Sequence, residues 1–583
     1  MKWILAFFFL SNACLFSEII PPDRRIDWSP GIPGGFPEKS FKVDVMEHGA
    51  VGDGQTDDSN AFARAINAIP ASGGTLVIPE GAYLLKRTLS INKSVLLRGV
   101  GSNKTHLLFD LSGRGDNCID FVKYDRGDWV NALEGYEKGS TKIRVQNAAK
   151  FKAGDYVEIQ QDNDPELMYT DPDWQQSWSE NAVGQICVLQ EINGDTLVFN
   201  RPLYITYRDD LNPQIRRLGL IEYPGIEELY IERLDAGDGH TIQMRYVAFG
   251  RVQRIESNMT YRTHVFMSEC YGCEVRNNYI HHSHDYGGGG HGYGVDTIRH
   301  TSDCLIIDNV FFYLRHSMMT HVGTSGNVFA YNFSAAREPQ RLCDISLHGH
   351  YSNANLFESN VVEEIDISDY WGPIGPHNTF LRNVITQEGV DVKDSSHGQN
   401  LVGNVLKRGR INVNSSVNET VLHGNVINGT TQWDDNINDQ NIPVSYFLSE
   451  KPDFFEDSPW PLFGPDVDAE HKLPAQVRYE SGNPITHVQN DIVQTPLDFD
   501  LSVYPNPFNP QTTILVDLPK TDKVRLEVYS LTGRLVDVLV DEMMPAGKQA
   551  VCFQPSALSA SGIYVVRLSV GSEIMDKKIT LLK

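Results

Sequence analysis

Basic residues, cysteines and long apolar runs are all scarce in this sequence of 583 residues. Lysine and arginine number 50 against 75 aspartate and glutamate residues, which gives a net charge of −25. So acidic a chain is repelled by nucleic acids and anionic membrane surfaces, and both are excluded as partners. Beyond the N-terminus no apolar run approaches the roughly 18 residues that a membrane span requires. Eight cysteines are few for this length, so the fold does not depend on disulfides.

The N-terminus has the residue order of a secretory signal. Lys2 precedes a short apolar run that ends at Leu10, and small residues follow at Ser11 and Ala13. This order is typical of a cleavable signal peptide, and the apolar run is too short to cross a membrane. We therefore expect residues 1–17 to direct export and to be removed.

Asparagine recurs at short, similar intervals through the middle of the chain, each time with a large apolar residue three positions earlier. A repeat this short supplies one strand and a turn, cannot bury its own apolar side chains and must stack on its neighbours. The sequence therefore predicts an all-β fold, a right-handed parallel β-helix over residues 40–430, with equivalent side chains about 4.8 Å apart. The recurring positions are Asn258, Asn278, Asn309, Asn332, Asn360, Asn383, Asn404 and Asn425.

The same alignment predicts what fills the helix and its turns. Phe329, Phe357 and Phe380 share one column and should stack in the interior. Cys273 and Cys304 should lie side by side as small core residues. Later repeats place amides at the position of these cysteines, where they would satisfy buried backbone groups. These amide residues are Asn327, Asn355, Asn378 and Gln399.

The segment before the repeats predicts a closed end for the helix. Thr56-Asp57-Asp58 is a typical helix start, and Phe62, Ile66 and Ile69 share one face of the helix that follows. With the glycine-rich residues 48–54, this segment resembles the N-terminal cap and first coils of the pectate-lyase superfamily of β-helix carbohydrate enzymes. The resemblance implies the same scaffold and a carbohydrate-active enzyme.

Two segments depart from the repeat. Residues 139–206 are rich in predicted strands and form a small β insertion. Trp174 and Trp178 lie in its acidic loop, where they either stack on sugar rings or form a packed lid. Residues 431–496 are rich in proline and aspartate, and we interpret them as a C-terminal cap and linker.

Residues 497–583 form a separate predicted domain, a C-terminal immunoglobulin-like β-sandwich of alternating strands. The opening Tyr504-Pro505-Asn506-Pro507, the strand around Gly562-Ile563-Tyr564 and the basic, apolar tail resemble the C-terminal sorting domain of type IX secretion systems. The resemblance implies export across the outer membrane by the type IX secretion machinery, to the medium or the cell surface. The alternative is an ordinary immunoglobulin-like module.

Half of the eighteen histidines lie in residues 281–350, where two coils carry insertions after the asparagine turn. Insertions at equivalent turns project from the same side, and loops on a rigid scaffold are where functional residues concentrate. Counting back from the next asparagine in each coil predicts a line of neighbours formed by Asp296, His321, His348 and Trp371.

Cleavage of a uronate by β-elimination requires the residue types of this region. A cation or Ca²⁺ neutralises the carboxylate, a base with a pKa of about 7 removes the C5 proton, and an acid such as tyrosine protonates the departing oxygen. Calcium is therefore the one cofactor that this chemistry suggests. The candidate catalytic residues are Tyr293, Asp296, His300, Arg315, His316, His321 and His348. The candidate substrate-binding residues are His291, Arg299, Arg341, His350 and Trp371.

Tyr293 and Asp296 also belong to a longer pattern. The run Tyr293-Gly294-Val295-Asp296, followed by Cys304-Leu305-Ile306-Ile307 and Arg315-His316, resembles the catalytic coil of alginate C5-epimerases and related β-helix lyases. The resemblance implies catalytic roles for Tyr293 and Asp296. Ile298 stands where that family has histidine, and only Arg315 could replace its carboxylate-binding arginine.

Other functions remain open at this point. His281, His282 and His284 offer ligands for a transition metal, and a carbohydrate-binding protein without catalysis is a further alternative. Residues 281–350 contain few cations, which disfavours a highly sulfated substrate. Glycoside hydrolysis requires two carboxylates, and those available are Asp285, Asp296, Asp344, Glu363, Glu364, Asp366 and Asp369. The sequence favours a secreted, monomeric polysaccharide lyase over a hydrolase.

Overall fold

The computed structural model describes residues 19–337, 343–368, 370–485 and 500–582, the last range with gaps at 505, 507, 510, 519–521, 532, 545–546, 556–560 and 571–572. The chain divides into two compact units, residues 1–487 and residues 488–583. The predicted signal segment 1–17, the linker residues 486–496, and Arg341 lie outside the described residues.

The first unit is a parallel β-helix with three faces, each a stack of parallel strands, which confirms the predicted right-handed β-helix fold. Four long strands bend at a corner and contribute to two faces. The first face contains, in stacking order, Lys42–Asp44, Gly74–Val77, Val95–Arg98, Gly225–Arg233, Arg251–Thr260, Glu274–Arg276, Leu305–Ile307, Val328–Ala330, Leu356–Glu358, Thr379–Leu381, Asn400–Val402 and Val421–His423.

The other two faces complete each coil. The second contains Asp53–Asp57, Gly81–Leu85, Thr105–Phe109, Gly225–Arg233, Arg251–Thr260, Tyr279–Ser283, Val310–Phe312, Phe333–Ala335, Val361–Ile367, Val384–Val392, Val405–Leu406 and Asn425–Ile427. The third contains Leu89–Ile91, Ile119–Val122, Ile242–Arg245, Thr263–Ser268, Tyr293–Ile298, His316–His321, Ile345–Leu347, Val361–Ile367, Val384–Val392 and Arg410–Val413.

Asparagine side chains form a hydrogen-bonded ladder at the corner between the first and second faces. Asn332 is typical: its amide nitrogen donates to the Ile306 carbonyl oxygen at 2.9 Å and to Asn360 Oδ1 at 2.9 Å, and its own Oδ1 accepts from the Asn309 backbone. The ladder therefore satisfies corner backbone groups that lie buried in the stack. The predicted second ladder is also present, since the Asn327 amide donates to Asn355 Oδ1 at 3.0 Å.

The predicted interior stack of phenylalanines is confirmed. The rings of Phe329 and Phe357 lie 4.9 Å apart at 11°, and those of Phe357 and Phe380 lie 4.8 Å apart at 6°. Cys273 and Cys304 are neighbours as expected, with the Cys273 backbone nitrogen 3.3 Å from Cys304 Sγ. Cys118, Cys187, Cys270, Cys273 and Cys304 are buried free thiols, and Cys343 is also buried.

The predicted place of Asn258 in the ladder is wrong. Strand register pairs Asn258 with His281, three residues beyond the corner, whereas the backbone nitrogen of Ile255 donates to Asn278 Oδ1 at 3.0 Å. Ile255 is therefore the residue of this coil at the ladder position. An alignment on asparagine alone slips by three residues here, because this coil has no corner asparagine.

The ends and one side of the helix are covered. Helix Ser59–Ala68 closes the N-terminal end and buries Phe62 and Ile66, as its amphipathic pattern predicts. Beyond the last coil, residues 442–485 run along the outside of the first face, where Phe463 and Leu473 cover apolar residues of several coils. This segment covers a side of the helix, while the strand Thr430–Gln432 folds back antiparallel on Asn425–Ile427 at the C-terminal end.

A closed six-stranded antiparallel barrel interrupts the coils between the third-face strand Ile119–Val122 and the strand Gly225–Arg233. Gly184 lets the barrel approach the β-helix closely, because a Cβ atom there would lie 2.4 Å from the His300 ring. The barrel spans residues 130–218, which is a longer segment than the predicted insertion at residues 139–206. Its strands are Val130–Glu134, Lys142–Val145, Tyr156–Gln161, Val183–Asn193, Thr196–Phe199 and Gln214–Leu218.

Helices are few and short. Among the described residues, none has the length and apolar character needed to cross a lipid bilayer. Besides the cap helix, the α-helices are Pro165–Met168 and Pro474–Glu480. The 3₁₀ helices are Pro22–Arg24, Met46–His48, Ala148–Lys150, Pro172–Trp174, Ser177–Ser179, Asp209–Leu211 and Asp453–Phe455. A two-residue parallel pair, Ile221–Glu222 with Val247–Ala248, lies outside the three faces.

The second unit is a β-sandwich of two antiparallel sheets, as the sequence predicts. Apolar side chains including Leu526, Val566 and Ile579 form its core. The three-stranded sheet contains Asp500–Tyr504, Thr512–Leu518 and Gly547–Phe553, and the four-stranded sheet contains Leu535–Met544, Asp522–Ser530, Gly562–Val570 and Glu573–Leu581.

Candidate active site

A cleft of about 710 Å³ lies on the outside of the third face, in the region where the sequence concentrates its histidines. Its floor is formed by adjacent strands of that face, and its walls come from the barrel and from loops between faces. Its lining residues are Trp178, His240, Arg262, Thr263, Phe266, Gly288, Gly289, Gly290, Tyr293, Asp296, Ile298, Arg315, His321, His348, Asp366, Tyr370 and Trp371.

Strand register determines which floor residues are neighbours. Asp296 pairs with Phe266 on one side and Met319 on the other, and the same row continues through Ser346 to Asp366. Val295 and other alternate residues point into the helix core, so Asp296 faces outward. His321 pairs with Ile298, two residues further along the strand than Asp296.

Asp296 and His321 nevertheless touch, diagonally across neighbouring strands. His321 Nε2 lies 3.0 Å from Asp296 Oδ1, and both side chains are almost completely buried. The two groups are not oriented for a hydrogen bond. Among the described residues, Asp296 Oδ1 and both His321 nitrogens are therefore buried without a hydrogen-bond partner. Buried polar atoms are nearly always satisfied, and exceptions concentrate where a ligand or a reaction supplies the partner. The pair is therefore the strongest candidate for chemistry in the cleft.

Aromatic side chains surround this pair. The ring centroids of His321 and His348 are 5.8 Å apart, and those of Tyr293 and His316 are 4.9 Å apart. His316 itself is fully buried, and its Nδ1 donates to the Cys343 carbonyl oxygen at 2.7 Å. His316 therefore supports Tyr293 from beneath, whereas Tyr293 and His348 line the cleft.

One wall of the cleft is aromatic and is shared between the barrel and the β-helix. The Trp178 ring, from the barrel loop, lies 6.0 Å from His321 and 5.6 Å from Trp371. A neighbouring tryptophan fastens the loop, because Trp174 Nε1 donates to the Tyr370 carbonyl oxygen at 3.0 Å. Broad apolar rings of this kind suit the faces of sugars.

The opposite wall is a glycine-rich loop held by two arginines. Arg262 donates to the Gly289 carbonyl oxygen at 2.9 Å, and Arg315 donates to that of Gly287. Gly290 has a φ of 88°, and a Cβ atom there would lie 3.1 Å from the Arg262 guanidinium, so a larger residue would disturb the arginine. Both guanidinium groups line the cleft, and that of Arg262 also pairs with Asp238 at 3.0 Å.

Several predicted residues lie behind the walls. His291 is at the rim, where its Nδ1 donates to Asp285 Oδ2 at 2.9 Å. His350 contacts Trp178 at 4.7 Å and donates to the Trp174 carbonyl oxygen, and burial lowers its pKa to about 4. His300 lies outside the cleft, buried against the barrel, where Nδ1 donates to Glu158 at 2.6 Å and Nε2 donates to the Asn181 carbonyl oxygen.

The proposed histidine site for a transition metal is wrong. Among the described residues, no group of three or more histidine, cysteine, aspartate or glutamate side chains could hold a metal ion. His281 and His282 contact each other through their Nδ1 atoms at 2.8 Å, whereas His284 Nε2 donates to the Arg233 carbonyl oxygen. The imidazole of His284 therefore has a different partner from the other two.

Sequence reasoning missed His240, Arg262, Phe266 and Tyr370, which line the cleft. His240, Arg262 and Phe266 belong to coils before the asparagine ladder, and burial together with the Arg262 charge lowers the pKa of His240 to about 3. Trp178 comes from the barrel, and Tyr370 precedes the predicted Trp371. The strand pairing of Phe266 with Asp296 could have been found only with the correct register.

Comparisons with known proteins bear on both ends of the chain. Residues 42–165 match the family model described as rhamnogalacturonase A/epimerase, pectate lyase-like, and residues 502–581 match the secretion system C-terminal sorting domain. The chain carries a pectate-lyase-like domain and a secretion sorting domain. The sorting domain indicates type IX secretion, so the protein is secreted or attached to the cell surface.

Individual relatives match parts of the chain. An iota-carrageenase of Alteromonas macleodii is 29% identical over 188 residues, covering 28% of this chain and 36% of that protein. The pre-neck appendage protein of Bacillus phage B103 is 36% identical over 91 residues, which cover 15% of this chain and 10% of the phage protein. The chain thus spans about a third or less of these relatives. The tailspike of Pseudomonas phage phi297 is similar in structure, with a TM-score of 0.48 and 10% identity over 92% of this chain and 99% of that chain.

Proposed function

We propose that this exported protein cleaves a uronic-acid-containing polysaccharide by β-elimination in the cleft on the third face. The observation that carries the proposal is the buried contact between Asp296 and His321 on the floor of the cleft. Asp296 Oδ1 and both His321 nitrogens make no hydrogen bond among the described residues. A base held by a carboxylate in a water-poor site is well suited to remove a weakly acidic proton.

The cleft supplies each group that the reaction needs. His321 accepts the C5 proton, and the neighbouring Asp296 carboxylate stabilises the imidazolium that forms. The electron pair of the broken C–H bond forms the C4–C5 double bond, and the C4–O bond breaks. Tyr293 then donates its phenolic proton to the departing oxygen. Arg262 and Arg315 oppose the charge of the uronate carboxylate, which acidifies the C5 proton.

The remaining cleft residues position the sugar chain. Trp178 and Trp371 provide ring faces on one side, and His348 extends the polar floor beside His321. The cleft is complete within one chain, and we expect the protein to act as a monomer. If a Ca²⁺ ion takes part, Asp366 is a cleft carboxylate that would hold it, and the ion would supply positive charge to neutralise the substrate carboxylate.

Glycoside hydrolysis is the second candidate, favoured by the similarity to an iota-carrageenase. Among the described residues, the carboxylates that line the cleft are Asp296 and Asp366, three strands apart in the same row. Asp369 lies outside the described residues. Their backbones are therefore about 14 Å apart at about 4.8 Å per strand, whereas paired catalytic carboxylates lie about 5–9.5 Å apart. Asp344 is no alternative, because it is buried and accepts hydrogen bonds from the Glu363 and Glu364 backbones. This spacing favours elimination.

One assay separates the candidates. The full chain is incubated with a panel of uronic-acid and neutral polysaccharides, and ultraviolet absorbance of the unsaturated product is followed together with new reducing ends. Elimination produces both signals, and hydrolysis produces reducing ends alone. Retention on a polysaccharide gel with neither signal would leave a binding protein and refute the catalytic proposal.

A further inference from the structure

A second, smaller pocket of about 200 Å³ lies where the barrel meets the β-helix. Barrel and helix each contribute arginines to it, and we call it the arginine pocket after Arg126, Arg216, Arg245 and Arg299. Four guanidinium groups around one small cavity are unusual in a chain with a net charge of −25.

The two carboxylates in this pocket already have partners. Glu158 is buried and lies 2.6 Å from an Arg216 nitrogen and 2.6 Å from His300 Nδ1. Burial opposes its ionisation, but the hydrogen bond and charge of His300 and the charge of Arg216 lower its pKa to about 2. Glu269 pairs with Arg245 at 3.1 Å and accepts a hydrogen bond from the Tyr246 hydroxyl at 3.0 Å.

Arg126 and Arg299 are not neutralised in this way. In the part of the chain that the structure describes, neither forms an ion pair: Arg126 donates to the Tyr246 hydroxyl oxygen at 3.1 Å, and Arg299 donates to the Trp178 carbonyl oxygen at 2.7 Å. Four guanidinium groups against two carboxylates leave an excess of two positive charges facing the cavity. Guanidinium groups bind carboxylates and sulfate esters through paired hydrogen bonds.

The arginine pocket adjoins the cleft. Arg299 directly follows Ile298, which lines the cleft, and its guanidinium holds the backbone of Trp178, whose ring forms the cleft wall. A sugar chain lying in the cleft and continuing past Trp178 would reach this cavity. Trp129 also lines this cavity, and the Arg216 guanidinium packs 4.2 Å above its ring.

We infer that the arginine pocket binds a carboxylate or sulfate substituent of the polysaccharide whose neighbouring sugars occupy the cleft. This inference rests on the proposed function and adds a second anionic substituent of the substrate to the uronate carboxylate bound in the cleft. The few cations of residues 281–350 disfavour a highly sulfated substrate. The arginine pocket reverses that expectation, because two of its four arginines come from the barrel region and one from an earlier coil.

Binding without turnover tests the inference. His321→Ala in the full chain keeps the polymer intact, and its mobility is compared in gels containing polygalacturonate, iota-carrageenan or neutral dextran. Adding Arg126→Gln and Arg299→Gln, which leaves both glutamate pairs in place, should weaken retention by an anionic polymer about tenfold or more. The matched control is Arg144→Gln, an exposed barrel arginine outside the pocket that pairs with Glu134. It should leave retention unchanged.

Three outcomes would overturn the inference: equal retention of the double variant and its parent, the same loss on dextran, or no retention of the parent by either anionic polymer. Inorganic sulfate at constant ionic strength distinguishes a free ion from a polymer substituent. If sulfate binds the parent while both proteins hold the polymers equally, the pocket is a small-anion site only. Because no step depends on turnover, a failed lyase assay would leave this result interpretable.

Discussion

The indole rings of Trp178 and Trp371 meet edge to face at 5.6 Å, one carried by the inserted barrel and the other by a coil of the β-helix. The wall of the cleft is therefore assembled from two parts of the first unit. The position of the barrel loop sets the width of the cleft beside His321, which also contacts Trp178.

Replacing Trp178 by alanine should weaken substrate binding more than it slows the chemical step. The indole provides a ring face for the sugar but contributes no acid or base, so we expect KM to rise about tenfold and kcat to change little. Steady-state kinetics on the polymer measure both constants. Trp433→Ala, at the last coil, is the control, and a kcat that falls as far as kcat/KM would contradict this role.

Asp296→Asn and His321→Ala should each reduce turnover about a thousandfold, because the first removes the carboxylate that stabilises the imidazolium and the second removes the base. The initial rate of product absorbance measures the loss, and circular dichroism verifies the fold. His48→Ala, on a 3₁₀ helix at the N-terminal end, should retain full activity. Wild-type rates in both cleft variants would eliminate the pair as the catalytic centre.

Tyr293→Phe should reduce the rate on polysaccharide about a hundredfold by removing the proton for the leaving oxygen. The ring remains and still packs on His316, so binding should be preserved. A uronate with a good leaving group on C4, such as a 4-O-nitrophenyl ether, needs no protonation of the departing oxygen and should be cleaved at close to the wild-type rate. An equal loss on both substrates would assign Tyr293 a purely structural role.

Stability should decrease in acid through His350. Burial lowers its pKa to about 4, while an unfolded histidine has a pKa of about 6.5. Between these values the unfolded chain binds the proton more readily, so the free energy of unfolding falls as the pH drops from 6.5 to 4, by at most about 3 kcal/mol.

The test compares urea denaturation midpoints at neutral and acidic pH for wild type and His350→Gln. Glutamine can still donate to the Trp174 carbonyl oxygen but does not titrate, so its midpoint should fall less in acid. His240 contributes in the same direction in both proteins, which makes the difference between them the decisive quantity. Identical pH profiles would refute the assignment.

Asn332→Ala should destabilise the β-helix by about 3 kcal/mol, because it leaves several buried backbone and side-chain groups of neighbouring coils without partners. Asn258→Ala is the matched control. Its amide bonds only to side chains outside the ladder, chiefly the Tyr230 hydroxyl at 2.9 Å, and we expect a cost of about 1 kcal/mol or less. Chemical denaturation measures both, and equal costs would contradict the ladder's role.

The coils from Asn278 onward could be predicted from sequence because their asparagines mark the same corner in each turn. Counting residues from that corner predicted that Asp296, His321, His348 and Trp371 are neighbours, and all four line the cleft. It could not give the direction of each side chain. Corner residues such as His300, with a φ of 59°, turn away from the strand row and bind the barrel instead.

The rest of the site could not be derived from that count. Phe266 and Arg262 belong to a coil without the corner asparagine, so their register was not visible. Trp178 reaches the cleft only through the packing of the barrel on the helix, a long-range contact that no local pattern encodes. For the same reason the arginine pocket, which joins residues of both parts, escapes sequence inspection.

Strands that precede the barrel pair directly with strands that follow it: Leu96 with Gly225, and Ile119 with Ile242. The β-helix is therefore continuous across the point of insertion, and the barrel is an insertion that lies outside the stack of coils. Replacing the barrel by another inserted domain would change which polymers bind in the cleft and would leave Asp296 and His321 in place on the β-helix. Diversification of ligand choice in this scaffold therefore needs no redesign of its coils.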